Sequence, residues 1–95
     1  MDQATQRERR TVLYSGRVQG VGFRYTARTI AGRYAVDGFV LNLPNGQVEL
    51  VAEGQRRELN EFLAEVRESF GASIRDEKCD VQAASGEFSG FEIRY

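Results

Sequence analysis

Histidine is missing altogether from the 95 residues. Its absence removes the usual general base near neutral pH, the commonest metal ligand, and every Ser-His or Cys-His nucleophile pair. Cysteine occurs once, as Cys79, so no intramolecular disulfide can form and a reducing cytoplasm is the expected setting. Zinc chemistry would need several cysteines or histidines and is excluded on the same count. A dominant charge is missing too: 13 Lys+Arg against 14 Asp+Glu leave a formal net charge of −1. No global field then recruits nucleic acid or an acidic membrane, so any anion site must be local. No apolar run approaches the roughly 18 to 20 residues of a membrane span. The opening MDQATQRERR lacks the apolar stretch of a secretory signal. Backbone amides, arginine, carboxylates and neutral polar groups are what remain for chemistry.

Hydrophobic content of 41% and charged content of 28% are ordinary for one small globular domain. Residues 1–9 read as a polar, flexible tail in which Arg7, Arg9 and Arg10 are solvated, and 10–95 as the domain. TVLYSGRV, 11–18, is a strand rich in β-branched and aromatic residues. From Arg24 the residues Ala27, Ile30, Ala31 and Tyr34 form a helical stripe. GFVLNL (38–43) and QVELVA (47–52) form a hairpin around Pro44-Asn45-Gly46. Leu59, Phe62, Leu63, Val66 and Phe70 make the apolar face of a second helix that stops at Gly71. Glu58, Glu61, Glu65 and Arg67 fall on its exposed side. Residues 74–83 and the terminal FEIRY read as strands. This β-α-β-β-α-β order with a short final strand predicts an α+β, ferredoxin-like split βαβ fold, an antiparallel sheet with two helices on one face.

Between the first strand and first helix lies GRVQGVGFR, 16–24, with three glycines. Glycine is costly to order, so their density marks a loop whose shape matters. Successive N–H groups there can form a concave anion nest, joined by the free amides and dipole of the following helix. Arg24 adds a charged fork suited to phosphate oxygens. A cation at a helix N-terminus is otherwise unfavourable. The alternative is a glycine-rich turn that only joins strand to helix. Neither standard nucleotide motif fits: Phe23-Arg24 stands where a P-loop has Lys-Ser/Thr, and Tyr25 where the dinucleotide pattern has a small residue. Asn42 alternates with Val40, opposite Phe39, Leu41 and Leu43, which does not require it in the core. Cys79 has no histidine or clear cationic partner to activate it, and reads as a strand residue.

GRVQGVGFR followed by GFVLNLPNGQVELVAEG (38–54) resembles the acylphosphatase family, with both characteristic segments in order, and the likeness runs over about residues 11–95. The resemblance implies hydrolysis of a carboxylic–phosphoric anhydride to carboxylate and phosphate. It implies that the amides of Gln19, Gly20, Val21, Gly22 and Phe23, with Arg24, hold the phosphoryl group, and that Asn42 orients the attacking water. It implies no metal and no cofactor, a small acyl phosphate or other oxyanion as the partner, and a monomer. The family's domain also opens a large hydrogenase-maturation protein; without the zinc-binding cysteines that follow there, a free-standing enzyme is expected. Leu41, Tyr14 and Ala72 depart from the usual basic or polar, aliphatic and proline residues. Leu41 bears on the acyl side of specificity. Two other readings share the fold: a phosphate or metabolite sensor without turnover, and an RNA-binding domain stacking bases on Tyr14 and Phe39. The GFVLNL strand lacks the basic start and spaced aromatics of the latter.

Overall fold

The computed structural model describes residues 6–95. Its elements run β1 (Arg7–Gly16), α1 (Phe23–Ala31), β2 (Val36–Asn42), β3 (Val48–Gln55), α2 (Arg56–Phe70), β4 (Ile74–Ala83) and β5 (Phe91–Arg94). The five strands form one sheet in the order β4-β1-β3-β2-β5. This is the expected split βαβ arrangement, with one refinement. The first four strands pair antiparallel, whereas β5 lies parallel to β2, making the sheet mixed. The reason is the route between β4 and β5, which occupy opposite edges. Residues 84–90 cross the face of the sheet turned away from the helices, at the end remote from the glycine loop. From there β5 runs back toward that loop.

Alternation along the strands supplies the core face. Val12, Tyr14, Val40, Val48, Leu50 and Ala52 are buried there against Ala27, Ile30 and Ala31 of α1 and Leu59, Phe62, Leu63 and Val66 of α2. The two predicted helical stripes are thus the buried faces of α1 and α2. Tyr34 lies beyond the end of α1, packs on the core, and donates its hydroxyl to Glu65 (2.7 Å).

The expected tail needs correction where the structure describes it. β1 begins at Arg7, opposite Gln55, and its arginines are engaged by carboxylates. Arg7 meets Asp37 (3.2 Å), Arg9 meets Glu53 (2.7 Å) and Arg10 meets Glu8 (3.0 Å). Polar composition alone did not reveal that β2 supplies a partner for Arg7, β3 and the 84–90 crossing partners for Arg9, and β1 itself a partner for Arg10. Residues 1–5 lie outside the described part.

Glu53 is the one buried charged residue among those described, at 1% exposure. Its carboxylate accepts from Arg9 Nε, from the amides of Ser85 and Gly86 (both 2.9 Å), and from the Ser85 hydroxyl (2.9 Å). Burial by itself raises the Glu53 carboxyl, but these four donors outweigh it and hold its pKa at about 2. The folded value is below the unfolded value of about 4.3. Glu53 therefore stabilises the fold fully above the unfolded value, and that contribution disappears as pH falls toward about 2. Glu53→Gln is expected to cost on the order of 2–3 kcal/mol at pH 7. It should also make the acid-side decline of the urea midpoint shallower; an unchanged decline would contradict this role.

Candidate active site

The glycine loop is held at both ends by buried apolar side chains. Val18 is fully buried. Phe23, 2% exposed, stacks on Phe70 at 4.2 Å between ring centroids and tilts against Tyr14 at 4.9 Å. Between these pins Gly20, Val21 and Gly22 are exposed. Gly20 (φ 76°) and Gly22 (φ 79°) are left-handed, with open space where a side chain would stand. The backbone torsion, not crowding, is what calls for glycine here. Gly22 also opens α1, which has no side-chain cap and no acidic residue in its first turn. Among the described residues, no protein acceptor takes the N–H groups of Gln19 through Tyr25. The helix start thus adds free donors and positive dipole to those of the loop.

Three separate links bring the predicted residues to one end of the sheet. The Gln19 side chain donates from Nε2 to the carbonyls of Leu43 and Gln47, both at 2.8 Å, tying the loop to the hairpin just beyond Asn42. Gln47 in turn donates to Ser15 Oγ (2.9 Å) at the end of β1. Arg24 donates from Nη1 to the Arg94 carbonyl (3.3 Å), with its guanidinium carbon 4.8 Å from the Tyr95 ring centroid. Arg94 is paired with Leu41, so this contact sets the Arg24 guanidinium beside the end of β2. Arg24 has no carboxylate partner among the described residues.

Asn42 is the last residue of β2, opposite Val48. It does lie with Val40, but Val40 is fully buried on the helix side, and Phe39 and Leu41 are the half-buried outer set. The expectation that this parity frees Asn42 from the core is therefore corrected. Phe88 of the 84–90 crossing packs on Phe39 (5.7 Å), so both faces of β2 carry large apolar residues and parity could not choose between them. Asn42 Oδ1 is buried and has no hydrogen-bond partner among the described residues, which leaves it an unclaimed acceptor at the end of β2.

The roles of the Gln19 side chain and of Arg94 and Tyr95 were not legible in the sequence, since each depends on a contact with a distant segment. Cys79 is exposed on β4 and desolvation pushes its thiol up, away from a reactive thiolate. Tyr14 is fully buried and Phe39 is covered by Phe88, so neither offers the free ring that RNA stacking would use. No cluster of three or more His, Cys, Asp or Glu among the described residues could hold a metal ion. A cleft elsewhere, between the start of β1 and α2, has its Arg56 and Arg57 bound by Glu8 and Glu61.

Fold and site together define a small α+β domain whose first strand-to-helix loop leaves its backbone amides without protein acceptors among the described residues. The acylphosphatase family model matches residues 10–93. An acylphosphatase of Rubrobacter xylanophilus is 41% identical over 95 residues, covering 99% of this chain and 86% of that one. One from Clostridium acetobutylicum is 48% identical over 60 residues, covering 63% and 66% respectively. The crystal structure of acylphosphatase from Bacillus subtilis superposes with a TM-score of 0.85 at 31% identity, covering 93% of this chain and 99% of that chain. The chain belongs to the acylphosphatase family, enzymes that hydrolyse acyl phosphates.

Gln19→Ala removes two hydrogen bonds worth about 1 kcal/mol each between the loop and the hairpin. It is expected to lower the melting temperature by up to roughly 8–16 °C and to lower kcat/KM roughly tenfold or more in an assay run well below the melt. Full activity in a thermal-melt-matched assay would contradict the linking role.

Proposed function

We propose that the amides of Gln19, Gly20, Val21, Gly22 and Phe23, with Arg24, bind the phosphoryl group of an acyl phosphate, and that Asn42 orients the attacking water. The observation that carries this reading is the convergence of unclaimed donors with one unclaimed acceptor. Free amides and a cation without a carboxylate partner meet the buried Asn42 Oδ1 at a single end of the sheet.

In the proposed step, water held by Asn42 Oδ1 attacks phosphorus as the bond from phosphorus to the acyl oxygen breaks. The electron pair of that bond leaves on the carboxylate. One water proton passes to a phosphoryl oxygen and the other stays on the new hydroxyl, giving carboxylate and dihydrogen phosphate. A carboxylate whose conjugate acid has a pKa of about 4 departs without a general acid. The phosphoryl oxygens accept the proton, so no strong protein base is needed. Positioning and charge stabilisation remain, which phosphoryl transfer chiefly requires. A chain without histidine suits that chemistry. The reading includes metal-independent turnover by a monomer in a reducing cytoplasm, with neither nucleic acid nor membrane as partner. Among the described residues, no helix is long and apolar enough to cross a membrane.

Benzoyl phosphate hydrolysis in EDTA tests the assignment. Arg24→Ala and Asn42→Ala should each lower kcat by about 10²–10³ with the fold retained. In ¹⁸O-water the label should enter phosphate and not benzoate. Variants as active as the parent, or label in benzoate, would overturn the roles given to these residues.

A further inference from the structure

On the outer flank of the loop, two more arginines, Arg17 and Arg75, line one open cleft without an ion-pair partner among the described residues. Gly16 ends β1 with φ 118°, and a Cβ there would lie 2.4 Å from the Ser73 carbonyl oxygen and 2.7 Å from the Arg75 nitrogen. Only glycine lets the strand pass this close to residues 73–75. The Arg17 amide then donates to the Ser73 carbonyl (2.8 Å). At the same point the β1–β4 register slips. Ser15 pairs with Asp76 and Gly16 with Ile74, leaving Arg75 without a ladder partner. A bulge of this kind re-aims the side chain of its extra residue. Arg75 lines an open cleft together with Gly16, Arg17, Ala72 and Ser73.

Both arginines are exposed, and neither pairs with a carboxylate among the described residues. Glu77, two residues along β4, is already held by Arg67 of α2 (2.9 Å). Asp76, the residue after Arg75 on β4, forms no ion pair among the described residues. Like charges that line one cleft without a partner favour an arriving anion. Arg17 is two residues before Gln19, so their Cα atoms are at most roughly 7 Å apart. A molecule whose phosphoryl end lies on the 19–24 amides can reach these arginines only through its acyl end.

We propose that Arg17 and Arg75 form a second anion subsite, which takes a carboxylate at the far end of the acyl chain and makes acyl phosphates of dicarboxylic acids preferred substrates. The inference rests on the 19–24 loop being the phosphoryl cradle. Succinyl phosphate and butyryl phosphate test it, because they share a four-carbon chain and differ in the charged terminus. At low ionic strength the parent should favour succinyl phosphate in kcat/KM by about 5–10-fold. Arg75→Gln should abolish that preference through KM, leaving kcat and butyryl phosphate hydrolysis unchanged. Arg75→Glu should reverse it. Added salt should erode the preference in the parent and not in Arg75→Gln. No preference in the parent, or an equal loss on both substrates in Arg75→Gln, would overturn the subsite. The cradle is tested separately by Arg24→Ala, which should depress both substrates. If it depresses neither, the cradle reading fails while the Arg75-dependent ratio still decides the subsite.

Discussion

The packing of Phe23 between Phe70 and Tyr14 is the constraint on which the site depends. Phe23 belongs to the loop motif, one residue before its end at Arg24, and is also the first residue of α1. Burying its ring fixes where the helix starts, and hence where the unpaired amides of its first turn point. Val18 does the same at the other end of the loop. With both ends anchored in a close-packed core, the exposed residues between them have little freedom to wander. Preorganised donors of this sort stabilise developing charge without reorganising during the reaction.

A second chain of contacts runs from the far side of the sheet to the same point. Glu53 clamps the start of the 84–90 crossing, and Asp37 accepts from the Gly90 amide (2.8 Å) at its end. That crossing delivers β5 to the edge of β2, and the carbonyl of Arg94 then receives Arg24. A buried carboxylate remote from the loop thereby bears on the position of the loop's arginine. Its four donors explain how a charge is accommodated beneath a strap where an unpaired one would be strongly unfavourable.

Much of this was legible in the sequence because it was local. The stripe of α2, the stop at Gly71, the Pro44-Asn45-Gly46 turn and the glycine density before Phe23 each follow from neighbouring residues alone. The two acylphosphatase segments, quoted together, pointed to the family. What escaped was whatever depends on distant partners. Arg7, Arg9 and Arg10 look like a solvated tail until Asp37 of β2, Glu53 of β3, Glu87 of the crossing and Glu8 of β1 itself provide carboxylates. The face of Asn42 was ambiguous because Phe39 and Leu41 are as apolar as Val40, and only the presence of a covering strap explains them. Gln19 gives no sign in sequence that its side chain binds the hairpin. The bulge at Arg75 is likewise invisible, since register is a property of two strands.

The absence of histidine, the free amides and the acidity of the leaving carboxylate describe one economy of means: a reaction that needs charge held in place more than protons moved. The central claim is that the loop is the phosphoryl cradle. Its most direct test is a titration of ¹⁵N-labelled protein with inorganic phosphate, followed by amide NMR shifts. The account predicts saturable shifts that are largest for Gln19 through Arg24, accompanied by movement of the Asn42 side-chain amide. Saturable shifts centred elsewhere, with those resonances unmoved, would contradict it.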